Sequence, residues 1–316
     1  MQPGGSVDPD VCFRRNKMLS IITPFYRGNR YLPELEKVLE ENVASLQRTK
    51  PDLKAEWILV NDSPDTQVEL PQRSKRLSIR IVNLPENGGI HNARVQGLLQ
   101  SKGELIYFVD QDDTIEIGFL QKLDATLGES HADFAVGNCL MEEKDGERIP
   151  KYQKRADLDA IRRLNTYLRV RNPIVSPGQC LLKRSAIPEE WITYTMAING
   201  SDDLLLWILM LARGRRPVAV PDAYYLHRYT GENVSDSLAQ ISDSSMEVVD
   251  ALRQSGVLRQ SQLMDLQHSV EWGARSSREN RRYYLLQPKI FLTRLFWKLE
   301  YRISPALALR DPDLPE

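Results

Sequence analysis

Three carboxylates fall within four residues at Asp110-Gln111-Asp112-Asp113, directly after the apolar run Leu105-Ile106-Tyr107-Phe108-Val109. Carboxylates crowded where a buried strand ends repel one another, so the arrangement is costly unless a cation sits there. Hard oxygen ligands of this kind suit Mg2+ or Mn2+. A second acidic pair, Asp202-Asp203, follows Asn199-Gly200-Ser201 and heads the apolar stretch Leu204 to Leu211. Such a pair serves either as a helix N-cap, since acids favour helix starts, or as a source of a general base. In Asn87-Gly88-Gly89-Ile90-His91-Asn92-Ala93-Arg94 the glycines let backbone approach a ligand, and the helix start with Arg94 offers positive potential to phosphates. His227, one of four histidines, lies in Tyr224-Tyr225-Leu226-His227-Arg228-Tyr229. A lone histidine is more often structural than functional.

These residues need a scaffold, and the apolar periodicity supplies one. Leu19 to Thr23 reads as a strand ending at Pro24, and Leu32 to Arg48 carries helix-spaced Leu35, Val38, Leu39, Val43 and Leu46. Trp57 to Val60 is a second buried strand closed by the turn-rich Asn61-Asp62-Ser63-Pro64-Asp65, and Ile79 to Val82 is a third. A helix from Asn87-Gly88-Gly89 through Gln100 and the strand Leu105 to Val109 follow. Gly178 to Leu182 reads as a further strand. Strands alternating with helices predict an α/β fold, a mainly parallel sheet between helices, with ligands collecting at the carboxyl ends of the strands. Thr23-Pro24-Phe25-Tyr26, Asn61-Asp62-Ser63, Asn87-Gly88-Gly89 and Asp110-Gln111-Asp112-Asp113 would then share one edge of the sheet.

Composition narrows the class. The 316 residues suffice for one large α/β core with an appended region, and a net charge of -1 gives no reason to expect nucleic acid. Cys12, Cys139 and Cys180 are widely spaced without a CxxC pair, which argues against a disulfide framework or a zinc site and favours a reducing cytoplasm. No stretch approaches the ~20 apolar residues of a membrane span. Without GxGxxG after the first strand, a dehydrogenase is excluded.

Taken in order, the motifs resemble the family 2 glycosyltransferases, which have the GT-A fold and transfer a sugar from a nucleotide diphosphate donor. The resemblance spans about Leu19 to Ser235. It implies a nucleotide contact at Thr23-Pro24-Phe25-Tyr26, a uracil contact at Asp62, and a nucleotide-binding segment at Asn87, Gly88 and Arg94. It assigns the metal motif to Asp110 and Asp112, with Gln111 between them. Asp112 is the first choice for direct ligation of Mn2+ or Mg2+, Asp110 faces the ribose or a metal-bound water, and Asp113 is left to cap the following helix. The resemblance also makes Asp203 the catalytic base with Asp202 in support. Where the family often has a histidine and a loop ending in Asn-x-Ser, this chain has His227 and Asn233-Val234-Ser235. His227 becomes a third metal ligand or a diphosphate contact, Arg228 a second phosphate contact, and Ser235 part of the nucleotide site. The implied partners are a nucleotide-sugar donor, UDP-sugar foremost, and a glycan or lipid-linked acceptor, as in cell-surface polysaccharide or glycoconjugate synthesis.

Two other readings compete. A sugar-nucleotide nucleotidyltransferase needs a Gly-rich, Arg-containing loop after the first strand, and Thr23-Pro24-Phe25-Tyr26 is not one. A nonenzymatic sugar-nucleotide binding or scaffolding protein would have little use for Asp110, Asp112, Asp203 and His227 together. Missing Gln-x-x-Arg-Trp and membrane spans, the chain is expected to add one sugar per encounter rather than polymerise. Three regions are expected: a disordered leader at 1–17, the GT-A domain at 18–235, and a helical region at 236–316. In the last, Phe291, Leu292, Leu295, Phe296, Leu299 and Ile303 share a helical face opposite Arg294, Lys298 and Arg302. With Arg281, Arg282 and Lys289, the segment 281–303 suits peripheral contact at the inner face of the cell membrane, or packing on the catalytic domain or on a second subunit in a homo-oligomer.

Overall fold

The computed structural model describes residues 18–70, 74–231, 237–275, 277–288, 292 and 295. The leader 1–17, the Asn233-Val234-Ser235 segment and nearly all of the amphipathic stretch 290–303 lie outside the described residues. In chain order the elements are β1 (Met18–Phe25), α1 (Leu32–Thr49), β2 (Lys54–Asn61), β3 (Leu77–Asn83), α2 (Gly89–Gln100), β4 (Leu105–Phe108), β5 (Thr114–Ile115), α3 (Phe119–Glu129), β6 (Phe134–Glu142) and β7 (Arg148–Pro150). They continue with α4 (Arg155–Ala160), α5 (Leu164–Leu168), β8 (Cys180–Lys183), α6 (Glu189–Thr193), α7 (Asp202–Ala212), β9 (Pro217–His227), α8 (Leu238–Ser255), α9 (Gln260–Gly273) and α10 (Ser277–Leu286).

Among the described residues these strands form one sheet in the order β3-β2-β1-β4-β8-β6-β9-β5, with β7 beside β6. The block β3-β2-β1-β4 is parallel, as the βα alternation requires. Beyond it the sheet turns mixed. β8 runs antiparallel to both β4 and β6, whereas β6 and β9 are parallel.

Alternation along the central strands divides the core. Ile22, Ile58, Ile106 and Phe108 face a cluster containing Leu98 of α2, Leu205 of α7, Val248 of α8 and Leu266 of α9. Ile21, Trp57, Leu59 and Tyr107 face the opposite cluster with Leu39 and Val43 of α1 and Leu123 of α3. The inner strands β1, β2 and β4 are thus covered on both faces, whereas the edge strand β3 is partly exposed. Helices α8 and α9 share the first cluster, so the expected boundary at residue 235 does not separate two cores. No described helix is long and apolar enough to cross a membrane.

Candidate active site

The carboxyl ends of β1, β2 and β4, the starts of α2 and α7 and the end of β9 surround a cleft of about 620 Å³. Pro24, Phe25, Tyr26, Asp62, Asn87, Arg94, Asp110, Gln111, Asp112, Asp113, Asp202, Asp203 and His227 all line it. The acidic turns that are up to 141 residues apart in sequence therefore meet in one place.

At the end of β1 the side chain of Gln111 clamps the backbone of Tyr26: its Oε1 accepts the Tyr26 N–H and its Nε2 donates to the Tyr26 carbonyl, each at 2.9 Å. A Cβ at Gly28 would lie 2.1 Å from Gln111 Oε1. Gly28→Ala is therefore expected to push Gln111 off Tyr26. Because a flexible side chain gives way, the fold should be little affected. Losing about one net hydrogen bond that orders Tyr26 should speed amide hydrogen exchange at Tyr26 roughly three- to tenfold, measured by NMR against wild type. Thr23, expected against the nucleotide, lies instead under the site. It is fully buried and its Oγ1 accepts from Trp57 Nε1 at 3.0 Å, because it lies short of the end of β1, on the face packed against Trp57.

Asp62 accepts the N–H groups of Gly88 and Gly89 at 2.7 and 2.9 Å, one on each carboxylate oxygen. Burial raises its pKa, and these two donors oppose the rise. It thereby ties the end of β2 to the start of α2. Gly89 has φ +83°, and a Cβ there would lie 2.6 Å from Asn199 Oδ1, which accepts the Ile90 N–H at 2.9 Å. Asn87 Oδ1 accepts the Gly89 N–H at 3.2 Å.

Arg94 was expected to face phosphates, yet its guanidinium is 3% exposed and held between two carboxylates. Nη1 donates to Asp202 Oδ2 at 2.6 Å and Nη2 to Asp110 Oδ1 at 2.5 Å. Its charge is spent inside the protein, joining β4 to α7. The second oxygen of Asp110 accepts Ser176 Oγ at 3.2 Å. Asp110 thus carries one hydrogen bond on each oxygen, while its part-exposed side chain still lines the cleft. Asp202 does not cap α7 either; Ser201 stands at the N-cap, and Asp202 occupies the first turn.

Asp113 does not cap a helix, since α3 begins at Phe119 behind Gly118. It is buried and organises the end of β9: it accepts the Tyr225 hydroxyl, the Arg228 N–H at 2.9 Å and His227 Nδ1 at 3.3 Å. Burial alone would lower the His227 pKa, but the hydrogen bond and charge of Asp113, then the charges of Asp110 and Asp112, raise it to about 9. The Asp113 carboxylate therefore favours the protonated ring in the metal-free protein, and a cation bound nearby would compete with that proton. The Arg228 side chain pairs with Glu34, Nη1 to Oε2 at 2.9 Å, rather than entering the cleft.

Asp112 is half-buried, lines the cleft and forms no ion pair among the described residues. Burial, then Asp113 and Asp110, raises its pKa to about 7. No three His, Cys, Asp or Glu side chains among the described residues converge into a preformed metal cage. The donor set nonetheless fits Mg2+ or Mn2+, which bind through one or two carboxylates and take their remaining positions from phosphates and water. Asp112 is the carboxylate with a free face for it.

Asp203, 9% exposed, borders the cleft from the first turn of α7. Its Oδ1 accepts the Leu204 N–H at 2.7 Å and its Oδ2 accepts Asn172 Nδ2 at 2.7 Å. Burial, then the charge of Asp202, raises its pKa well above the ordinary carboxylate range; Arg94 and the two donors act against the rise. A carboxylate poised this way is a competent proton acceptor near neutrality.

Several lining residues had no signal in the sequence. Tyr31, Val175, Ser176, Pro177, Thr230 and Ile241 reach the cleft from loops and from α8. Asn199 was visible only as part of a turn. His91, inside the Asn-Gly-Gly motif, is buried on Trp191: it accepts the Met196 N–H at Nδ1, so Nε2 carries the proton toward the Trp191 carbonyl at 3.0 Å. Burial lowers its pKa and keeps it neutral.

A mixed sheet with a parallel block, helices on both faces and an acidic cleft at the strand ends is a GT-A-like architecture. The profile of the family described as Glycosyl transferase family 2 matches residues 20–191. The chain belongs to that family. It is 25% identical over 229 residues to the poly(ribitol-phosphate) beta-N-acetylglucosaminyltransferase TarS of Staphylococcus aureus, a match covering 71% of this chain and 38% of that protein. The chain thus spans well under half the length of that relative. The succinoglycan biosynthesis protein ExoO of Rhizobium meliloti is 22% identical over 269 residues, 82% of this chain and 76% of ExoO. The crystal structure of S. aureus TarS 1-349 in complex with UDP-GlcNAc superposes with a TM-score of 0.58 at 17% identity, covering 85% of this chain and 76% of that one.

Proposed function

We propose that the protein is an inverting, metal-dependent glycosyltransferase that moves one sugar from a UDP-sugar to a hydroxyl of a glycan or lipid-linked acceptor. The observation that carries this reading is the convergence of Asp62, Asp112, His227 and Asp203 on one cleft. It is supported by the complexes of the TarS neighbour with UDP and with UDP-GlcNAc. A glycan-type acceptor is supported by the names of two relatives, a poly(ribitol-phosphate) beta-N-acetylglucosaminyltransferase and a succinoglycan biosynthesis protein.

Tyr26, ordered by Gln111, and Asp62 at the end of β2 form the nucleotide end of the cleft. Mn2+ or Mg2+ held by Asp112 would neutralise the diphosphate of the departing nucleotide. His227, protonated and braced by Asp113, adds positive charge on the same side. Asp203 accepts the proton of the acceptor hydroxyl as that oxygen attacks the anomeric carbon from the face opposite the phosphate. Arg94 bridges Asp110 and Asp202 and offsets part of their charge between the two halves.

Calorimetric titration with UDP, with Mn2+ or Mg2+ present and with a chelator, tests the reading. Binding is expected only with the metal. It should strengthen as pH rises through about 7, with proton release, because Asp112 must ionise to hold a cation. Equal binding with the chelator, or no binding of any nucleotide, overturns it.

A further inference from the structure

Asn172 touches the base from a stretch of chain whose shape is unusually constrained. Helix α5 ends in two crossed hydrogen bonds, Val170 N–H to the Tyr167 carbonyl at 2.8 Å and Arg171 N–H to the Thr166 carbonyl at 3.2 Å. This helix ending needs a left-handed residue and normally uses glycine. Here Val170 takes it, at φ +52°, a conformation strained for a β-branched side chain. Tyr167 and Leu168, buried in the core shared with α7, hold the helix end in place.

Just beyond that turn, Asn172 precedes Pro173, which disfavours helical backbone at residue 172. The Pro173 carbonyl accepts the Tyr152 hydroxyl at 2.9 Å, Gln179 Nε2 reaches the same hydroxyl at 3.0 Å, and Gln179 Oε1 accepts the Val175 N–H at 2.6 Å. The stretch is pinned at several points. It meets Asp203 through Asn172 at 2.7 Å and Asp110 through Ser176 at 3.2 Å.

We propose that Asn172 is a positioning residue for the Asp203 base, carried by the Val170 turn and kept in register with the donor side by Ser176. The inference rests on Asp203 being the base of the proposed reaction. Asp203 has its two oxygens fixed by Leu204 N–H and Asn172, so its plane is set from both sides. The Asn172 amide orients the carboxylate without competing for its proton, because an amide nitrogen has no lone pair to offer. Asn172 Oδ1 is buried with no hydrogen-bond partner, so the bond to Asp203 dictates which way the amide points. The charged or titratable neighbours acting on Asp203 are Asp202 and Arg94, with Tyr167 and Cys180 packed nearby.

The test measures release of UDP from a UDP-sugar as a function of pH, together with the titration of the Asp203 carboxyl carbon by NMR, its resonance identified through Asp203→Asn. Asn172→Ala is expected to lower kcat about ten- to hundredfold, the loss of one hydrogen bond to a charged group, with donor KM unchanged. The acidic limb of kcat and the Asp203 titration should both move to higher pH, since the ionised form loses a donor. Asn172→Asp, which sets a like charge against Asp203, should move both further. Unchanged kcat, or reduced kcat with an unmoved Asp203 titration, overturns the proposal. Full activity in Asp203→Asn would instead defeat the assignment of the base, and the NMR titration separates the two failures.

Discussion

Asp203→Asn is expected to lower transfer by about 10²–10⁴-fold, the range that a lost general base removes, while UDP affinity stays within a factor of about two of wild type. The separation follows from where Asp203 sits. It borders the cleft from α7, whereas Tyr26, Asp62 and Asp112 approach from the strand ends. The same substitution should change stability in a pH-dependent way. Burial and Asp202 raise the Asp203 pKa above its unfolded value, so the native state favours the protonated acid. The stability associated with that proton is fully present below the unfolded pKa and is lost as pH rises through the folded one. Asparagine carries no charge to desolvate, so the variant should melt above wild type at neutral and higher pH, and the gap should close in acid. A single-turnover assay, UDP calorimetry and melting curves across pH check the three parts. A variant with full transfer activity would move the base elsewhere.

Arg94→Met should be the most destabilising single change at the site. The guanidinium is buried between Asp110 at 2.5 Å and Asp202 at 2.6 Å. Removing one partner of a buried ionic cluster leaves the rest uncompensated, typically about 3–5 kcal/mol. Methionine fills much of the same volume, so the loss reads charge rather than packing. Urea unfolding at neutral pH measures it directly. Equal stability of the two proteins at neutral pH would mean that Asp110 and Asp202 find other partners.

Much of the site was legible before any coordinates. Trp57 to Val60 and Leu105 to Val109 are runs apolar on both faces, and only a strand covered on both sides reads that way. Once they are parallel neighbours of β1, their polar ends at Asp62 and Asp110 must share an edge. Helix α2 was equally plain, because Gly88-Gly89 marks its start. β6, β7 and the length of β9 were not legible. β6 pairs with β8 and β9, segments far from it in the chain, and no local period announces a sheet that changes from parallel to mixed. The C-terminal helices looked like an appendage, whereas Val248 and Leu266 complete the core beside α7.

The role of each acid depended more heavily on the tertiary structure. Sequence alone established the family resemblance, the edge at which chemistry collects and the acidic types that gather there, because strand periodicity and turn residues are local properties. It could not say which carboxylate is open. Asp110, Asp112 and Asp113 are adjacent and chemically alike, yet Arg94 and Ser176 occupy the first, Tyr225, His227 and Arg228 occupy the third, and the second keeps a free face. Those partners come from α2, from the loop before β8 and from the end of β9. Long-range packing alone brings them within hydrogen-bond distance, so only the folded chain decides which acid is left open to the cleft and which hold the site together.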